Sequence, residues 1–255
     1  MRRLATLALV LASTHLATAA TITLTPSKDN SIYSEDALSN GMGGNLFAGN
    51  TAGGATRRAL LTFDLSAIPA DATITSVTLQ LYATGNQSAA QTVTLTRLTV
   101  DWGEGTSNAG ASGGGGGAAA TLGDATWQYS FYSTTQWTSA GGDFAAGASA
   151  STSVAGANAV YLWNSPGMLA DVQTWLADPS TNFGWIVRGN EGTSSTAKAF
   201  ASRETANSAQ RPQLMITYTA VPEPAPLALA LIAALLGWNA RCPNARSQKP
   251  RAASR

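Results

Sequence analysis

Arg57-Arg58-Ala59-Leu60-Leu61-Thr62-Phe63-Asp64-Leu65 places Leu61, Phe63 and Leu65 on one side of an extended chain. That spacing of two is the mark of a strand with one face in a core. The neighbouring segments repeat it. Val77, Leu79 and Leu81 share a face after the turn at Ile68-Pro69-Ala70-Asp71, and Thr21 to Thr25 alternates until Pro26 halts it. Val93 and Leu95 agree in phase, whereas Leu98 and Val100 fall on the opposite one, which predicts a bulge or bend near Thr96. Further strands are expected at 159–163, 184–187, 198–202 and 213–219, rich in the β-branched threonine that strands tolerate well. One helix interrupts them. Ser165 is its cap and Pro166 its first residue, while Met168, Leu169, Val172, Trp175 and Leu176 form one apolar stripe that ends at Asp178-Pro179. Many strands, one short helix and turn-rich connections predict an all-β protein, a two-sheet sandwich with the helix packed at one end.

The ends of the chain differ from this body. Arg2 and Arg3 precede an apolar run from Leu4 to Ala12 and small residues ending Ala17-Thr18-Ala19-Ala20, the order of a secretory signal peptide over residues 1–20. At the other end Val221-Pro222-Glu223-Pro224 stops the last strand, since two prolines cannot continue a ladder. Ala225 to Trp238 is apolar and uncharged, and Arg241, Arg246, Lys249, Arg251 and Arg255 follow without an acid among them. Such a run should enter a membrane with its basic end in the cytoplasm, although it is shorter than the roughly 20 residues of a comfortable span. The order of Pro222-Glu223-Pro224, an apolar helix and Arg241 with the later basic residues closely resembles the PEP-CTERM sorting signal. That resemblance implies removal of residues 221–255 by an exosortase-type protease, after transient membrane insertion through the C-terminal helix. A plain membrane anchor is the simpler alternative.

Residues 21–220 form the expected β-sandwich domain. This body carries eight Lys/Arg against thirteen Asp/Glu, a net charge of −5 that the chain total of +1 conceals. A mildly acidic body argues against nucleic acid as a partner, because phosphate binding needs clustered positive charge. The only cysteine, Cys242, and the only histidine, His15, both lie outside the body. Disulfides within the domain, Cys/His zinc sites and Ser-His-Asp or Cys-His catalysis are therefore excluded. No cofactor is implied; calcium, which takes only oxygen ligands, stays open.

Residues 101–137 change character. Gly113 to Gly117 is a run of five glycines that cannot hold one conformation without outside support, and it reads as a flexible loop tip. Trp102, Trp127, Tyr129, Tyr132 and Trp137 gather around it, with Asp101, Glu104, Asn108 and Asp124 nearby. Aromatic faces with carboxylates and amides are the chemistry that binds sugars, and loops of sandwiches often carry function. The competing reading makes these aromatics the cover of one end of the core. Asp29, Asn30, Glu35 and Asp36 with Asn40 could offer oxygens to calcium, though the closing carboxylate of an EF-hand is absent; turn-forming residues are the alternative. Arg203-Glu204 and Arg57-Arg58 read as structural ion pairs, or else as an anion-recognising pair for an acidic polysaccharide.

Six motifs occur in order through the body: Lys28-Asp29-Asn30-Ser31-Ile32-Tyr33-Ser34-Glu35, Leu38-Ser39-Asn40-Gly41, the Arg57–Leu65 stretch, Asp101-Trp102-Gly103-Glu104-Gly105, Gly123-Asp124-Ala125-Thr126-Trp127, and Phe200-Ala201-Ser202-Arg203-Glu204 before Arg211-Pro212. Together they resemble the DNRLRE-domain proteins, exported modules related to carbohydrate-binding modules, which implies a jelly-roll-like sandwich outside the cell. The Asp29-Asn30 block departs from the namesake hexapeptide, so no role of that hexapeptide carries over. The expectation is an exported surface or matrix protein that binds extracellular polysaccharide without catalysis, or serves the matrix structurally. A polysaccharide-cleaving enzyme is the alternative, since a glycosidase needs only two carboxylates at a set separation and Asp101, Glu104, Asp124 and Asp143 could supply them.

Overall fold

Alternating apolar residues bury one face of each strand, and two such faces meet. The computed structural model describes residues 18–220 apart from 36, 87–88 and 111–113; the expected signal peptide up to Ala17, the expected sorting tail, Asp36 and Gly113 lie outside the described residues. With elements numbered along the chain, one sheet contains β1 (Ala19–Leu24), β15 (Gln213–Thr219), β6 (Thr73–Asn86), β12 (Ala159–Asn164) and β14 (Lys198–Ala201). The other runs in the order β8 (Ala118–Ala119), β3 (Leu38–Ser39), β2 (Lys28–Tyr33), β5 (Thr56–Thr62), β13 (Trp185–Arg188), β7 (Gln91–Arg97) and β11 (Ala150–Val154). Every pairing is antiparallel. A strand that joins both sheets, β4 (Asn45–Asn50), pairs with β14 through Asn45 to Ala48 and with β5 through Gly49 and Asn50. Gly49 makes the change of direction at φ +113°, where a Cβ would sit 2.9 Å from the Thr196 carbonyl oxygen. The expected sandwich is the observed fold.

The interior between the sheets is filled by Leu46, Leu61, Phe63, Leu79, Leu81, Val93, Leu95, Trp163, Trp185, Phe200, Leu214 and Ile216 among others. Helix α1 (Pro166–Ala177) closes one end with Met168, Val172, Trp175 and Leu176, and Trp175 meets Trp185 edge-on with ring centroids 4.6 Å apart. Its start follows the sequence: the Ser165 hydroxyl accepts the Met168 N–H at 3.1 Å. Ser165→Ala should cost about 1 kcal/mol, the usual worth of such a cap, and chemical denaturation should show it as a lower midpoint with an unchanged slope. Among the described residues no helix is long and apolar enough to cross a membrane; Ala225–Trp238 lies outside them.

The second sheet is buried on its outer face too. Leu60, one step out of phase with Leu61, packs with Ile32, Ile186, Leu98, Trp102, Ala125 and Trp137 in a separate apolar cluster. The connection from β7 to β11 lies over that face, pinned by the Leu98 N–H to the Gly184 carbonyl at 2.9 Å, and a bridge between Leu98 and Phe144 joins its two ends. It also carries the hairpin of β9 (Tyr129–Phe131) and β10 (Thr135–Gln136). This corrects the bulge expected near Thr96. The ladder from β7 to β13 runs through Thr96 without a shift of register. Leu98 changes phase because it serves the outer cluster, while Val93 and Leu95 serve the inner one.

Candidate functional site

In β4, Leu46 and Ala48 turn inward, so Asn45 and Phe47 face outward. They line a groove of about 530 Å³ with Thr84, Ala199, Arg57 and Gly115. The Thr84 hydroxyl donates to Asn45 Oδ1 at 2.8 Å and fixes that amide. The glycine run forms the opposite wall. Tyr33 donates its hydroxyl to the Gly114 carbonyl at 2.7 Å, and Arg57 Nε donates to the Gly115 carbonyl at 3.0 Å. The Arg57 guanidinium also lies 4.6 Å over the Tyr33 ring. Residues 114–117 are therefore held in place, a correction to the flexible tip expected from the glycines; the support comes from two residues more than fifty positions upstream. Gly117, at φ +70°, lies against the same ring, where a Cβ would sit 3.2 Å from two of its carbons.

Arg57 is itself anchored by Glu35, whose two oxygens accept at 2.5 and 2.8 Å. The hydrogen bond from Arg57 holds the Glu35 carboxyl below its ordinary range. A carboxyl depressed in the folded state stabilises the fold above its unfolded value, about 4.3, and that contribution is lost as pH falls through the folded value. The melting temperature of the unmodified protein should accordingly exceed that of Glu35→Gln at pH 7, and the gap should close as pH falls from about 4.3 through the lower folded value.

The five aromatic residues singled out in the sequence separate into three environments. Trp102 is fully buried and Trp137 is 6% exposed. Both sit in the outer cluster, with their indole N–H groups donating to the Phe183 and Thr126 carbonyls at 2.9 and 2.8 Å. Trp127 is half-buried under the Arg58 guanidinium, 4.6 Å from its ring. Arg58 is clamped by both oxygens of Glu191 at 2.8 Å. Tyr129 and Tyr132, also half-buried, meet edge-on at 5.5 Å beside the hairpin. The structure thus brings Trp102 and Trp137 together inside, while the two tyrosines keep a surface.

Asp29 and Asn30, for which a turn-forming role was the alternative to calcium, lie in strand β2 and are fully buried. Asn30 accepts the N–H groups of Ser31 and Asn40 at 2.6 and 3.0 Å and donates to the Glu104 carbonyl at 3.2 Å. Asp29 meets Glu104 and Glu204, with one carboxylate oxygen from each within 4.8 Å of the others. Glu35 is engaged by Arg57, and Asp36 lies outside the described residues. Arg203 bridges Glu104 and Glu204, so the Arg57, Arg58 and Arg203 pairs are ion pairs within the fold. Among the remaining candidate carboxylates, Asp101 pairs with Lys28 at 2.6 Å. Asp124 is buried and accepts from Thr121, and Asp143 accepts the N–H groups of Thr138 and Ser139. No sequence signal joins Asp29 to Glu104 and Glu204, which are 75 positions away and farther.

Residues 20–109, about a third of the chain, match the model of carbohydrate-binding module family 96. The matched stretch runs from β1 through β7 and on to Trp102 and Glu104, and it contains Asn45, Phe47, Arg57 and Thr84 of the groove. No curated protein matches the chain.

Proposed function

We propose that this chain is an exported, non-catalytic module that holds an extracellular polysaccharide in the groove of Phe47, Asn45 and Thr84. The observation that carries the reading is the coincidence of that groove with the stretch similar to a carbohydrate-binding module. An aromatic ring beside a fixed amide and a hydroxyl suits a sugar, which offers an apolar ring face and a fringe of hydroxyl groups. The glycine wall brings backbone close to the bound chain without side-chain bulk. Both cations at the groove are committed, Arg57 to Glu35 and Lys198 to the carbonyls of Ala89 and Ala155, so recognition falls on amide, hydroxyl and aromatic groups.

The order of motifs that resembles the DNRLRE-domain proteins supports the same placement outside the cell. Residues 1–20 would direct export, and Pro222-Glu223-Pro224 with the apolar run and Arg241 would deliver the tail to an exosortase-type protease. Mass spectrometry of the exported protein tests this: residues beyond about Pro224 still attached would sink the processing reading. The test of function is retention of the purified protein on a panel of neutral and acidic polysaccharides, with reducing-end release measured alongside. Retention without release is expected. Release would favour the carboxylate enzyme, and failure on every polysaccharide would favour a purely structural matrix protein.

A further inference from the structure

Asp29, Glu104 and Glu204 come from three distant parts of the chain. Asp29 lies on β2, Glu104 on the connection over the second sheet, and Glu204 just beyond β14. The hydrogen-bond pattern is asymmetric. Glu104 is engaged on both oxygens, Oε1 accepting the Asp29 N–H at 2.7 Å and Arg203 Nε at 2.8 Å, while Oε2 accepts only Arg203 Nη2 at 2.5 Å and keeps acceptor capacity. Asp29 Oδ2 accepts the Arg203 N–H at 2.8 Å, but Asp29 Oδ1 and Glu204 Oε2 are buried with no donor, and the two carboxyls stand within hydrogen-bond reach of each other. Asp29 is fully buried, and the Glu104 and Glu204 side chains are only 16% and 15% exposed. One guanidinium, Arg203, pairs with Glu104 and Glu204, and its charge is felt at Asp29, which its backbone N–H contacts. In their charged forms the three carboxylates leave two negative charges uncompensated where water has little access, an arrangement that folded proteins avoid unless a cation or a proton completes it.

We propose that Asp29, Glu104 and Glu204 form a calcium site, with Asp29 Oδ1 and Glu204 Oε2 as the oxygens that await the ion. The donor set is all oxygen, which suits a hard cation, and no histidine or cysteine among the described residues offers the softer ligands of zinc or copper. The role is mechanical. An ion there ties β2, the covering connection and the segment after β14 to one point. The site shares no residue with the sugar groove and does not depend on its occupant. Burial, then the charge of Glu204, raises the Asp29 carboxyl well above the ordinary range, and burial raises that of Glu204. A proton shared between these two is thus the competing occupant.

Thermal melting of the full-length protein in chelator and in calcium chloride separates the two, with calorimetric titration of calcium alone as the second readout. At a hundred times its dissociation constant, calcium should raise Tm by about 5 to 10 °C, and titration should show one site. Asp29→Asn and Glu204→Gln should each abolish the rise; the partly exposed Glu204 position serves if Asp29→Asn does not fold. The proposal is overturned if the unmodified protein shows neither shift nor heat, which assigns the pair to a shared proton. It is equally overturned if both variants keep the full shift, which places the ion elsewhere.

Discussion

Replacing Trp102 by alanine should destabilise the fold by about 3–5 kcal/mol, the range for truncating a buried tryptophan, and lower Tm by roughly 6–20 °C. The size follows from what the ring does. It is fully buried in the outer cluster with Leu60, Ile186 and Trp137, and its N–H satisfies the Phe183 carbonyl. Truncation leaves a cavity between the second sheet and the connection that covers it, and it removes one of the two donors to that carbonyl, leaving the Thr62 hydroxyl at 3.0 Å. A surface loop would respond differently. Leu122 on the same connection is 76% exposed, and Leu122→Ala should change stability by less than about 0.5 kcal/mol. Denaturant titration of both variants tests whether the connection is a third layer of the core. A loss near that of Leu122→Ala at Trp102 would show that the segment lies on the sheet without contributing to its stability.

That layer explains why part of the fold is hard to read from residue order. Strand β5 was legible because Leu61 and Phe63 face the main core, a large continuous interior that imposes period two. Leu60 carried no signal of its own, since a strand buried on both faces shows no alternation. The reversed phase at Leu98 and Val100 was visible, and its cause was a second core rather than a bulge. Helix α1 was readable from cap to end because its determinants are local: Ser165, Pro166 and an apolar stripe within twelve residues. Strand β2 was not. Asp29 and Asn30 have turn chemistry, and partners on the 39–47 segment, the distant 101–125 segment and at Arg203 make these polar groups tolerable inside. The glycine run misled for the same reason, since its conformation is set by Tyr33 and Arg57. The five aromatic residues near 102–137 are close in sequence but divide in space, with Trp102 and Trp137 directed inward; the groove at Phe47 carried no comparable density of aromatics to announce it.

Phe47→Leu should weaken retention on the bound polysaccharide by about thirtyfold, the effect of losing about 2 kcal/mol at an aromatic anchor. Leucine is the informative replacement. Phe47 is 8% exposed, so alanine would confound lost stacking with lost packing, whereas leucine retains most of the apolar bulk and removes only the ring face. Tm should therefore stay within a few degrees while affinity falls. Thr84→Val is the companion change. It frees the Asn45 amide that the Thr84 hydroxyl now orients, and a smaller loss of several-fold is expected, about 1 kcal/mol for one neutral hydrogen bond. If Phe47→Leu binds as tightly as the unmodified protein while Tyr132→Ala does not, recognition belongs to the Tyr129–Tyr132 hairpin. The groove would then be a by-product of β4 crossing between the sheets. A joint loss at Phe47 and Thr84 with an unchanged melt would instead fix the sugar against β4 and the glycine wall, within reach of two backbone carbonyls that Tyr33 and Arg57 already hold in position.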